Sequence, residues 1–130
     1  MTQDVRIVTQ RPARVSDADF SVAAASGQFD ITDDSTTALT IAIQMTALTG
    51  GTTPAVTFSL VGVDEFNNEY ALQTGTAIST GTGQQMFHQG PGMGTGNNAA
   101  IFIKYRVKWA TTGGPATATC RFCAYGIAGV

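Results

Sequence analysis

Charged side chains are scarce in this sequence, because Asp, Glu, Lys and Arg make up only 12% of the 130 residues, about half of the usual share. The chain has one histidine and two cysteines, and no apolar run approaches the roughly 20 residues of a membrane helix. Two cysteines cannot form a disulfide framework, and seven basic residues without a cluster do not suit nucleic acid as the main partner. We therefore expect neither nucleic acid nor a membrane as a partner.

Small residues dominate what is present. Threonine occurs 20 times, alanine 18 times and glycine 15 times, while 43% of the residues are hydrophobic and the net charge is −2. This composition is typical of one folded domain and not of a disordered chain. The first residues lack the apolar segment of a signal peptide, so we expect synthesis in a cytoplasm.

Hydrophobic residues recur with a period of two, which is the spacing of half-buried strands. No segment shows the helical i, i+3, i+4, i+7 pattern over 10–12 residues. Turn signals arrive every 8–12 residues, as in antiparallel sandwiches. The sequence predicts an all-β fold, an antiparallel β-sandwich that is Ig-like or jelly-roll-like. The predicted strands are residues 39–45, 56–60, 69–73, 77–79, 84–88, 101–109 and 116–125.

The segment 101–109 has the clearest alternation. Its apolar side is predicted to face the core and consists of Ile101, Ile103, Tyr105, Val107 and Trp109. Its other side carries the basic stripe, which we define as Lys104, Arg106 and Lys108.

Two segments share a Thr-Gly-Gly turn with a nearby Pro-Ala pair, namely residues 46–60 and 108–122. Glycine permits a positive φ in a turn, and proline can begin a strand without removing a needed donor. We therefore predict that each segment is a β-hairpin.

Residues 1–27 differ from the rest and are predicted to be an extended N-terminal arm, with the sandwich over residues 28–130. The arm contains Arg6, Arg11 and Arg14, a short strand candidate at Val5–Thr9, and Pro12. Such an arm either lies along a neighbouring subunit or is a loose or edge-pairing terminus, and the sequence leaves both open.

The order of these segments resembles the small β-sandwich structural proteins of tailed bacteriophage virions, both capsid decoration proteins and tail proteins. The residues that carry the resemblance are TALTGGTTPAVTFSLVG (46–62), DEFNNEY (64–70), STGTGQQMF (79–87), GPGM (90–93) and KYRVKWATTGGPATATCRF (104–122). The resemblance implies a non-enzymatic virion protein, made in the bacterial host cytoplasm, that binds copies of itself and the major capsid protein or tail proteins. The chain departs from the family pattern at Tyr70, where a tryptophan is usual, and at Pro115, which directly follows the glycines.

No catalytic, cofactor or metal site is predicted. Cys120 and Cys123 are three apart in a strand, so their side chains point to opposite faces and cannot form a disulfide with each other. We interpret Cys120 as a core residue and leave zinc or an intersubunit disulfide open as alternatives. His88 has no nucleophile or acid marked beside it, and the glycine-rich segment 90–98 lacks the lysine of a phosphate-binding loop.

The acidic pairs Asp33–Asp34 and Asp64–Glu65 are interpreted as turns. Calcium at the second turn is an alternative, although the spacing of an EF-hand is absent.

The candidate contact residues are basic. They are Arg6, Arg11 and Arg14 of the arm, together with the basic stripe. The stripe is predicted to be either a solvated sheet surface that limits aggregation or a contact with an acidic neighbouring subunit.

Overall fold

Eight strands account for most of the described chain. The structure, a computed structural model, describes residues 13–22, 26–32, 36–92, 94–113 and 117–128. The strands are β1 (Ala13–Val22), β2 (Ser26–Thr32), β3 (Thr36–Thr49), β4 (Ala55–Val63), β5 (Glu69–Thr74), β6 (Gln84–Gln89), β7 (Lys104–Thr112) and β8 (Thr117–Ala128). A 3-10 turn at Gly96–Ala99 lies between β6 and β7. No helix in these ranges is long and apolar enough to cross a membrane.

The strands form two antiparallel four-stranded sheets, which confirms the predicted β-sandwich. Sheet A has the order β1-β8-β3-β6, and sheet B has the order β2-β7-β4-β5. Seven connections link the eight strands, and all except the β4–β5 turn pass from one sheet to the other. This is the jelly-roll arrangement of eight strands in two sheets. The Ig-like alternative is wrong, because that fold has a different order, with A, B, E and D in one sheet.

The period-two alternation places one side of each strand in the core between the sheets. Phe58, Ile41 and Val107 are fully buried, and Phe87 is nearly so. In β8, Ala118, Cys120, Phe122 and Ala124 face inward as predicted. An aromatic cluster continues this core, because Phe20 stacks on Trp109 at 5.3 Å and Phe29 stacks on Phe122 at 4.3 Å.

The two predicted hairpins are wrong. β3 belongs to sheet A and β4 to sheet B, while β7 belongs to sheet B and β8 to sheet A, so both Thr-Gly-Gly segments cross between the sheets. The two crossings lie side by side, where the Thr52 N–H donates to the Gly113 carbonyl at 3.1 Å. Gly113 has φ +83°, and a Cβ on it would lie 1.9 Å from the Thr53 carbonyl oxygen. A positive φ suits a crossing as well as a hairpin, which explains the error.

The predicted start of the strand at residue 101 is also wrong. β7 begins only at Lys104, and Ile101 and Ile103, which precede it, are exposed instead of facing the core. The predicted strand at 77–79 is reduced to a single bridge between Ile78 and Val56.

The described part of the predicted arm lies within the sandwich. Ala13–Val22 forms β1, which pairs with β8 at one edge of sheet A, and Val22 is fully buried. The segment from Ala13 onward therefore follows the edge-pairing alternative, because alternate side chains such as Phe20 contribute to the core. Residues 1–12, with Arg6, Arg11 and the strand candidate at Val5–Thr9, lie outside the described residues.

Candidate functional site

The basic stripe forms ion pairs with acidic residues of its own chain. The Arg106 side chain is only 9% exposed and donates to both oxygens of Asp30, at 2.7 and 3.1 Å. It also donates to Glu69 at 2.7 Å and to the Asn67 amide oxygen at 3.3 Å. Asp30 is on β2 and Glu69 is on β5, so Arg106 joins three strands of sheet B across its outer face.

The two lysines complete this network at its margin. Lys108 donates to Glu69 at 2.8 Å, and Lys104 lies 4.0 Å from Asp30. Both lysine side chains are about two-fifths exposed. The outer face of sheet B is therefore charged but nearly neutralised, and an acidic neighbour would have to compete with the carboxylates already present. An interface role for the stripe stays a prediction, as it does for Arg14, which lies in β1.

The ion pairs shift the pKa values of Asp30, Glu69 and Arg106. The hydrogen bond from Arg106 is the main cause that lowers the pKa of Asp30. The pKa of Glu69 is lowered first by Lys108 and then by Arg106. The same contacts raise the pKa of Arg106, first through Asp30 and then through Glu69. All of these groups therefore stay charged at neutral pH.

Asp64 organises the turn between β4 and β5. One carboxylate oxygen accepts from the backbone N–H groups of Phe66 at 2.9 Å and Asn68 at 2.8 Å. The other accepts from the Tyr70 hydroxyl at 2.8 Å. These bonds lower the pKa of Asp64, and the bond from the Asn68 N–H contributes most. The bond to Asp64 raises the pKa of Tyr70. The predicted turn at Asp64–Glu65 is confirmed as the tip of the β4–β5 hairpin, and the bonds to Asp64 hold its shape.

An aromatic stack closes the core at this end of the sandwich. The Phe102 ring stacks on Tyr70 at 5.6 Å and meets Tyr105 edge-on at 6.2 Å. It lies directly over Gly62, where an added Cβ would lie 2.3 Å from the ring. Glycine is needed here because the ring approaches the backbone this closely.

Four large exposed side chains lie on the two chain segments next to this stack, and we call this set the apolar end. It consists of Phe66 (82% exposed), Ile103 (58%), Ile101 (55%) and Tyr70 (47%). The two segments that carry them are adjacent, because Val63 at the end of β4 pairs with Lys104 at the start of β7 and the Phe102 ring stacks on Tyr70. In the sequence, Phe66 is an apolar residue inside the polar turn DEFNNE, whereas the alternation of 101–109 predicted a core position for Ile101 and Ile103.

The glycine-rich segment 90–98 is held by a buried glutamine. The Gln89 amide donates to the carbonyls of Asn97 at 2.6 Å and Ala100 at 2.9 Å. The Gly90 N–H donates to the carbonyl of Asn98 at 2.7 Å. These bonds brace the described part of the loop at its two ends.

Cysteine and histidine lie apart from the ion-pair network. Cys120 is buried in the core, which raises the pKa of its thiol to about 11, and Cys123 is half-buried on the outer side of sheet A. The exposed His88 contacts the Thr40 hydroxyl at 3.0 Å on the same side. Within the described residues no three His, Cys, Asp or Glu side chains could hold a metal ion together.

Among known proteins, similarity to this chain was found only with solved structures. No family model matches the chain, and neither does any curated protein. It is similar to a structure of the disulfide-linked pili that form Bacillus endospore appendages (16% identity, 92% of each chain, TM-score 0.48). It is also similar to the enzymatically active domain of tailspike protein 4 of bacteriophage CBA120 (13% identity, 84% of this chain, 15% of that chain, TM-score 0.49). A third structure is a carbohydrate-binding module specific for non-crystalline cellulose (12% identity, 87% and 73%, TM-score 0.46). At these sequence identities and TM-scores, the similarity is limited to the β-sandwich fold.

Proposed function

We propose that this protein is a non-enzymatic structural protein of a tailed bacteriophage virion, which coats the capsid in many copies and stabilises it. Its partners are copies of itself and the major capsid protein. It is made in the host cytoplasm and resides in the virion. The observation that carries the proposal is the apolar end, because several exposed large apolar side chains on adjacent segments can form the kind of patch that is typical of protein–protein contact sites.

The size of the apolar end suits a contact with an assembled shell. Aromatic side chains bury roughly 150–250 Å² each, so these four partly exposed residues offer on the order of 400–500 Å². A stable pair of soluble proteins buries about 800 Å² per partner. The patch alone therefore supports a weak contact, and further contacts at the shell must supply the remaining area.

Topology and charge support the same proposal. Jelly rolls occur in viral capsid proteins and in lectin domains. The ion pairs around Arg106 leave little unpaired charge on sheet B, so the molecule can lie close to identical copies without strong repulsion. A protein that binds only the assembled shell stabilises that shell by mass action.

The experiment mixes purified protein with phage shells that lack it and measures co-sedimentation and shell melting. We expect binding and a rise in the melting temperature of the shell. Ile103→Ser should weaken binding, whereas Met86→Ser, which removes an equally exposed apolar side chain from sheet A, should not. Binding to tails and not to shells would favour the alternative of a tail tube or minor tail protein. Binding to neither would overturn the virion proposal.

A second candidate is a carbohydrate- or receptor-binding module. It is favoured by Phe66 and Tyr70, two exposed aromatic residues near one turn that could stack on a sugar ring. Tyr70 is already held by Asp64 and Phe102, which leaves Phe66 as the free ring. A glycan array distinguishes the two functions, since only this candidate predicts binding that Phe66→Ser abolishes.

A further inference from the structure

The two lateral sides of the sandwich differ in how their sheet edges are covered. On one side, which we call the sealed edge, side chains bond to backbone carbonyls of β5 and β6. Gln73 donates to the carbonyl of His88 in β6, and Asn97 donates to the carbonyl of Ala71 in β5 at 3.2 Å. Gln73 also donates to the Gln89 amide oxygen at 2.7 Å. These bonds occupy a backbone carbonyl on each of the two edge strands, so a strand added at either carbonyl would have to displace a side chain.

The opposite side is formed by β1 and β2. β1 pairs only with β8 and β2 pairs only with β7, so among the described residues no strand covers the outer edge of either. An uncovered edge is a template for pairing with another chain. Because side chains occupy carbonyls of the sealed edge, pairing of an open edge with the sealed edge of the next copy is disfavoured.

β1 is poorly suited to pair with itself. A two-fold axis through Ala18 would set Asp17 of one copy opposite Asp19 of the other, and like charges directly opposite destabilise a strand pair. The register of β1 against β8 also shifts between Arg14 and Ser16, and such a bulge bends an edge away from partners.

β2 has the opposite character. We propose that β2 is a self-association edge, which pairs antiparallel with β2 of a second copy about a two-fold axis through Phe29. Phe29 is the midpoint of Ser26–Thr32, so this axis pairs all seven residues. It sets Gln28 of one copy opposite Asp30 of the other, twice, and the amide can donate to the carboxylate. No like charges meet in this register.

The pairing closes on itself. A two-fold contact uses the same surface on both copies, so the product is a dimer and not a growing fibre. The inference does not depend on the virion proposal, because the purified chain alone should form this dimer.

The test uses the charge at Gln28, whose neighbour within the chain is Lys108 on β7. Gln28→Asp places two Asp–Asp contacts in the dimer but sets the new carboxylate beside Lys108 in the monomer. It should therefore weaken the dimer about tenfold at low salt while the fold keeps its stability. Gln28→Lys should act in the opposite sense and strengthen the dimer. Gln84→Asp, the same charge change on β6 at the sealed edge, is the matched control.

Sedimentation equilibrium of the full chain measures the dimer constant, and hydrogen exchange reports the β2 amides. The proposal holds if a dimer forms, responds in opposite directions to the two Gln28 variants, and protects β2. A chain that is monomeric at all concentrations would overturn it, as would a dimer that both variants shift alike. If the β2 amides were protected from exchange in a monomer, the proposal would also be overturned. That result would mean that another segment of the same chain pairs with β2.

Discussion

Gly113 provides the sharpest test of the crossing geometry. It has φ +83° and lies where the β3–β4 and β7–β8 connections meet, with the Thr53 carbonyl in the space of a side chain. Gly92 has the same φ of +83°, but nothing lies within 4 Å of a Cβ placed there. The pair Gly113→Ala and Gly92→Ala therefore separates the cost of the backbone conformation from the cost of the contact.

The magnitudes follow from the two terms. A left-handed conformation costs a residue with a Cβ roughly 1–2 kcal/mol, and both variants share this cost. Only Gly113→Ala must also move the Thr53 carbonyl, and overpacking of this kind costs about 1–3 kcal/mol. We therefore expect the free energy of unfolding of Gly113→Ala to be about 1–3 kcal/mol below that of Gly92→Ala. This difference is a large part of the stability of an ordinary domain.

Urea unfolding followed by tryptophan fluorescence measures the difference, because Trp109 packs against the core. The midpoint should fall further for Gly113→Ala, with little change in the slope. Equal midpoints would refute the argument, since they would mean that the two crossings do not contact each other as described.

Three further predictions concern charge and burial. Arg106→Met should lower the free energy of unfolding by about 2 kcal/mol, less than for a fully buried pair because its partner carboxylates are about one-third exposed. Arg121→Met should cost much less, because Arg121 is exposed on β8 and donates to the Gln44 amide oxygen; urea midpoints of both variants check this. The carboxylates that pair with Arg106 have lowered pKa values, so their contribution is present above the unfolded values of 3.8 and 4.5 and is lost as pH falls through the folded values. Stability should therefore fall with acidification in the wild type and less steeply in Arg106→Met, and parallel curves would contradict the assignment. A thiol reagent near neutral pH should label Cys123 in the native protein and Cys120 only after unfolding, because burial raises the pKa of Cys120 to about 11 and excludes the reagent. Mass spectrometry counts the labels. Two labels on the native protein would contradict the buried position of Cys120.

The candidate site was only partly predictable. The alternation of Lys104, Arg106 and Lys108 marks one outer face of a strand, and it does so without tertiary information. Their partners could not be found in this way, because Asp30 and Glu69 are 76 and 37 residues away from Arg106 in the chain. Burial of Arg106 is a consequence of those partners and of its central strand, and neither leaves a local pattern.

For the apolar end, the sequence pattern predicted the wrong position of two side chains. Ile101 and Ile103 continue the parity of Tyr105 and Val107, so the alternation predicts that they face the core. The strand begins only at Lys104, and parity has no meaning outside a strand. Just before β7, the Phe102 ring lies against Gly62, and this contact between distant segments leaves no local pattern in the sequence.

The class of the fold and the inward side of most strands were predictable from local sequence, because the period of two is a local property of extended backbone. The jelly-roll order, the crossings in place of hairpins and the open sheet edges were not, because they depend on which distant strands pair. The physical reason is that a Thr-Gly-Gly turn specifies positive φ and not the sheet that receives the next strand. That choice is made by the core as a whole, when both sheets bury their apolar sides against each other.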